Sequence, residues 1–211
     1  GHVQKKYAIK LGFDEKQIKL GFYSADTSRF DQYFDEIGQK KVDDFPKRFL
    51  FLGRYVKHKG ISELWEAFQK VHFQFPNWEL WCVGTGEQYD NRVQSDGIRH
   101  FGFVQPSGLN PILAETGVYI LPSHFEPWGV SVQELAISGF PLILSSAIGS
   151  KEQFLEEPEN GYEFQAESAE GLSAAMIRIC SKSDEELITM GAKSRELGLS
   201  NSPTLWAEKL L

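Results

Sequence analysis

The chain has 211 residues, 41% of them apolar, which bounds it to one large domain or two small ones around a substantial core. Its 29 acidic against 22 basic residues give a formal charge of −7, and no dense basic run interleaves with aromatics, so a nucleic-acid partner is not expected. No stretch reaches the roughly 18 consecutive apolar residues that span a bilayer, and the N-terminus lacks a charged-then-apolar signal pattern, so the cytoplasm is the expected location.

In chain order, His2–Leu11 shows helical spacing with Val3, Tyr7 and Leu11 on one face, and Gly12 ends it. Gln17–Tyr23 is a strand candidate. Asp26 resembles an N-cap opening a short helix through Phe30 and Phe34, and Gln39–Pro46 reads as a connection. Regular alternation then begins. Arg48–Leu52 is a buried strand leading into the basic loop Gly53–Gly60. A helix from Ile61 follows and breaks before Pro76. Trp78–Val83 is the next strand, closed by Gly84-Thr85-Gly86, and Ile98–Val104 the third; Ser107 should cap a short helix ending near Glu115.

Val118–Leu121, the helix Gly129–Ser138 and Pro141–Leu144 form one βαβ unit. After it come a short helix at Lys151–Glu156, an edge strand at Tyr162–Gln165, amphipathic helices at Ala169–Cys180 and Asp184–Leu197, and one more helix from Pro203. Strands alternating with helices and joined by short loops imply an α/β fold, a doubly wound Rossmann-like parallel sheet of about six strands. Ligands of such sheets bind outside the carboxyl ends of the strands, and every candidate motif of this chain sits at one of those ends.

Arg54 and Lys59, five residues apart between glycines, can converge on a diphosphate, or can belong to an ordinary solvated loop. Gly84 and Gly86 let backbone approach a ligand, or make a tight turn. Glu126 precedes the helix and Glu134 lies within it. Their separation, with about 1.5 Å of rise per helical residue between Gly129 and Glu134, suits two hydroxyl-bearing ends of one ligand better than an acid/base couple. A phosphate between them would meet the helix N-terminus. Trp128 and Phe125 flank Glu126 and could wall a sugar site, with core packing the expected job of Phe125. His124 could act as an acid, yet no partner for it can be named. Cys82 and Cys180 are far apart without metal-ligand spacing and are expected to be reduced, packed thiols. With no Asp-x-Asp and no His/Cys cluster, neither a protein-held metal nor a cofactor is expected.

Taken together, Gly53-Arg54 with Lys59-Gly60, Gly84-Thr85-Gly86, Gly102-Phe103-Val104, Leu121-Pro122-Ser123 and Glu126 followed by Glu134 resemble the C-terminal, nucleotide-sugar-binding half of GT-B glycosyltransferases, most closely the retaining family 4. The resemblance runs from about Ile18 to Leu211. It implies that Arg54 and Lys59 neutralise the donor diphosphate in place of a metal, and that Glu126 binds sugar hydroxyls with help from the N–H groups of Trp128 and Gly129. It further implies that Glu134 holds the ribose, and that backbone around Phe103 and Val104 meets the base.

The pattern departs from the family at Glu126-Pro127-Trp128-Gly129, where Pro127 removes a backbone donor, at Tyr23-Ser24-Ala25-Asp26, and at Gly149-Ser150-Lys151-Glu152. Residues 1–46 are then expected to be a leader, including the last helix of a missing N-terminal domain, and 47–211 the donor-binding domain. The implied partners are a nucleotide-sugar donor, a carbohydrate or lipid-linked acceptor and that missing domain, through which any membrane association would come. A non-catalytic nucleotide- or sugar-binding module and a nucleotide-sugar epimerase are the alternatives on the same fold.

Overall fold

The computed structural model describes residues 1–18 and 23–208. Six strands, β1 (Arg48–Leu52), β2 (Glu79–Val83), β3 (Ile98–Gly102), β4 (Val118–Leu121), β5 (Leu142–Ser145) and β6 (Gly161–Phe164), form one sheet in the order β3-β2-β1-β4-β5-β6. Every pairing is parallel. Because β1 is flanked by β2 on one side and β4 on the other, the direction in which successive strands are added across the sheet reverses between β1 and β4. This is the topological switch point, where an open α/β sheet leaves a crevice at its carboxyl edge.

Both faces of the sheet are covered, and the strand sequences show why. Along β1, Phe49 and Phe51 enter one core while Leu50 enters the other; along β4, Val118 and Ile120 alternate with Tyr119 and Leu121 in the same way. All seven are fully or almost fully buried. Truncating one of them to alanine should therefore cost about 2–5 kcal/mol. Helices α3 (Ile61–Gln74) and α7 (Ala169–Cys180) cover the first face; α5 (Val130–Ile137) and α2 (Thr27–Asp43) pack on the second, and α8 (Asp184–Leu199) packs against both of these while its Leu187 and Met190 join the first core. The remaining helices are short: α1 (His2–Lys10), α4 (Asn110–Ala114), α6 (Lys151–Phe154) and α9 (Pro203–Glu208).

Two local expectations need correction. The Asp26 side chain does cap α2, accepting from the Arg29 N–H at 3.3 Å, but the helix runs 17 residues to Asp43 instead of ending near Phe34. Its continuation through the charged stretch expected to be a connection is held by Ile37 and Lys41, four residues apart on one face and both buried. Helix α2 stops at extended Asp44, just ahead of Phe45-Pro46, where the residue before proline disfavours helix. Ser107 is not a cap. It sits in the 3-10 turn Pro106–Gly108, and α4 starts after Leu109. The strand expected over 17–23 falls mainly on residues 19–22, outside the described residues, while Glu15–Gln17 is a 3-10 turn.

A buried glutamine ties these layers together. Gln133 on α5 accepts from the Ala25 N–H at 2.7 Å and donates to the carbonyls of Gly198 and Asn201 at 3.0 and 2.8 Å. It thereby links the segment before α2, the helix of the switch point and the end of α8. Cys82 is buried and Cys180 partly buried, and neither is in a disulfide. Burial pushes the Cys82 thiol up to about 12 and raises that of Cys180 as well, so both stay protonated and unreactive at neutral pH.

Candidate active site at the sheet switch point

The loop leaving β1 is held against the loop leaving β2. Gly53 N–H donates to Val83 O and Tyr55 N–H to Thr85 O, each at 3.0 Å. Gly84, at φ 136°, lies so close that a Cβ there would sit 1.9 Å from Gly53 O, and one on Gly86 would sit 2.6 Å from Tyr55 O. Both glycines are therefore required by backbone meeting backbone. Only Gly84 also faces the crevice.

That crevice holds a cavity of about 330 Å³ lined by Leu52, Gly53, Arg54, Val83, Gly84, Thr85, Phe103, Val104, Leu109, Ser131 and Glu134. Residues from the ends of β1, β2 and β3 thus meet α5 across the switch point. Phe103 is 67% exposed at the end of β3, and Arg54 is also exposed. Glu134 is partly buried, and this burial raises its carboxyl above the usual range; Arg29 opposes the shift and Asp26 adds to it. One turn before it, the Ser131 hydroxyl accepts from Tyr119 Oη at 2.8 Å, and burial raises the Tyr119 phenol. Ser131 and Leu109 were not singled out from sequence. Ser131, three residues before Glu134 on one helix face, could have been.

The second element of the site lies where the loops after β1 and β4 meet. Lys59 Nζ is paired with the Glu126 carboxylate, and the side chains are only 20% and 18% exposed. Gly60 caps α3 at φ 67°, and a Cβ there would meet Pro122 O at 2.2 Å, so the loops touch where Lys59 must turn toward Glu126. His124 strengthens this junction: its N–H donates to His58 O at 2.8 Å, and its Nε2 lies 3.1 Å from Glu63 on α3. Glu63 is the neighbour the sequence did not reveal, close to His124 without a hydrogen bond. Glu126 is fixed further by its N–H to Ala147 O at 3.3 Å and by its carbonyl, which accepts from Gly149 N–H at 3.0 Å.

The two aromatics flanking Glu126 exchange their expected places. Phe125, expected in the core, is 66% exposed at the loop tip; Trp128 is 7% exposed and meets Phe154 edge-on at 6.2 Å, so its indole is core and not a wall of the cavity. The chain turns inward at Trp128 because its carbonyl accepts from Ser150 N–H at 2.9 Å and Gly149 packs tightly on Pro127 O. Gly129, at φ 87°, opens α5, and Gly86, Trp128 and Gly129 do not line the cavity. Among the described residues no group of three or more His, Cys, Asp or Glu side chains could hold a metal ion, and no helix is long and apolar enough to cross a membrane.

A doubly wound, all-parallel sheet with its crevice lined in this way is the Rossmann-like half of the GT-B glycosyltransferase fold. Residues 46–182 match the family described as Glycosyl transferases group 1, and the chain belongs to that family. It is 28% identical over 147 residues to an uncharacterised glycosyltransferase of Methanocaldococcus jannaschii, covering 66% of this chain and 37% of the relative. To the glycogen synthase of Mycobacterium tuberculosis it is 27% identical over 138 residues, 62% of this chain and 33% of that one. The chain thus spans about a third of the length of these relatives. Anabaena HepE, whose structure is in complex with UDP-glucose, superposes with a TM-score of 0.78 over 100% of this chain and 61% of its own, at 16% identity, a likeness of fold.

Proposed function

We propose that this chain is the donor-binding domain of a retaining glycosyltransferase of the family 4 type, which transfers a hexosyl unit from a nucleotide-diphosphate sugar to a carbohydrate or lipid-linked acceptor together with a preceding N-terminal domain. The observation that carries this reading is the convergence of Arg54, Phe103, Val104 and Glu134 on one cavity at the switch point, beside the paired Lys59 and Glu126.

Each residue has a chemical task in it. Arg54 offers a planar fork to two phosphate oxygens. Lys59 turns from Glu126 toward the diphosphate and stabilises the charge that develops as the sugar C1–O bond breaks, which frees the Glu126 carboxylate to accept from sugar hydroxyls. Glu134 accepts from the ribose hydroxyls, and the backbone at Phe103 and Val104 meets the base. The acceptor oxygen bonds to C1 on the face the diphosphate leaves, and its proton passes to that diphosphate. The two cations supply the positive charge that a bound metal ion supplies in other transferases. HepE's UDP-glucose makes uridine diphosphate the first nucleotide to test.

The test is calorimetric titration of the chain with UDP, GDP and ADP without added metal, on the native protein and on Arg54→Ala and Glu134→Ala. One nucleotide should bind and both variants should weaken it about tenfold or more. Binding untouched by either substitution would refute the assignment of this cavity.

A further inference from the structure

A second cavity, of about 310 Å³, opens between α2 and α8 beside the C-terminal end of α5. It is walled by Phe34, Val42, Phe45 and Ile188, and Lys41 is its buried cation. Lys41 is only 5% exposed, and its Nζ has no hydrogen-bond partner among the described residues. It sits over the Phe140 ring, with Nζ 3.2 Å from the centroid. Burial pushes the amine well below its ordinary value. Asp35, which also lines the cavity, is exposed.

Holding this buried group as an ammonium with three unused N–H donors is expensive, which is why burial lowers its pKa, and a ring face recovers only part of that cost. Methionine would fill the same volume without it. An anion in the cavity would supply the missing acceptors once Nζ swings off the Phe140 ring toward it. Its character follows from the walls: one cation among apolar side chains suits a single negative charge on an apolar body, whereas a phosphate dianion would want several donors or a second cation. The volume is that of a small-molecule site between helices.

We propose that this cavity binds a small amphiphilic monoanion, an alkyl or aryl carboxylate, with its head on Lys41 and its apolar body along Phe34, Val42, Phe45 and Ile188. The site is separate from the donor cavity, so the two assignments stand or fall independently.

The probe is octanoate, with 1-octanol as its neutral counterpart, followed by amide chemical shifts and calorimetry on the 211-residue chain. Octanoate should shift Gly38, Gly139 and Gly191 saturably and bind about tenfold or more tightly than octanol. Lys41→Met should erase that preference while leaving the protein folded. Ala192→Trp, on the exposed lining residue of α8, should block both probes with Lys41 intact. The proposal is overturned if a folded native chain shows no saturable binding, if octanol binds as tightly as octanoate, or if Lys41→Met binds octanoate like the native protein.

Discussion

The two cationic residues of the crevice are held in opposite ways. Arg54 is exposed, and its side chain forms no ion pair among the described residues; Lys59, five positions on, is mostly buried and committed to Glu126. An exposed guanidinium is hydrated and needs no counter-ion, so it can wait for a ligand at no cost to the fold. A buried ammonium cannot. Under the proposed function, the Arg54 end of the crevice is ready for a nucleotide, whereas the Lys59–Glu126 end is self-neutralised and would exchange partners when a ligand enters.

This contrast predicts that substitutions on the two sides fail differently. The largest effect should come from Glu126→Ala, which strands Lys59: about 2 kcal/mol of stability lost by urea denaturation and, in the proposed transferase, a transfer rate lower by about 10²–10³. If stability were unchanged, the pair would be no more than a surface contact. Arg54→Ala should do the reverse, weakening nucleoside diphosphate about 10- to 100-fold by calorimetry while stability moves by less than about 0.5 kcal/mol.

Glu134→Gln separates the two properties within one residue. Because the native fold raises this carboxyl above its unfolded value, the protonated form is favoured on folding. The stabilising contribution is fully present below the ordinary glutamate range and is lost as pH rises through the raised value. The amide should therefore make the protein more stable at pH 7, by thermal melting, while weakening nucleotide about tenfold. In the native protein, nucleotide affinity should fall as pH drops through that raised value, since a protonated carboxyl accepts less well. Phe103→Ala should be mildest, with a few-fold loss of affinity and a melting temperature almost unchanged, as expected for a 67% exposed ring.

Much of this was legible because it is periodic. The continuous apolar run Phe49-Leu50-Phe51 marks β1 whatever surrounds it, and Arg54 and Phe103 could be placed at one edge because loops after parallel strands share it, with Glu134 on the helix that opens there. What was missed depends on tertiary partners. Lys40-Lys41 read as linker because charge normally marks a solvated turn, yet Lys41 lies on a buried helix face over Phe140. Gln133 gives no sign, beside Glu134, that three distant backbone groups converge on it. Phe125 and Trp128 are equally apolar in sequence. Which one turns inward is decided by Ser150 and Gly149, more than twenty residues away.

The most direct test of the donor site pairs one residue with one ligand group. The nucleoside diphosphate that binds, and its 2′,3′-dideoxy form, would be titrated into the native chain and Glu134→Gln. If Glu134 holds the ribose in this cavity, removing the hydroxyls weakens binding about tenfold in the native chain and hardly at all in the variant. Equal losses in both proteins would contradict it.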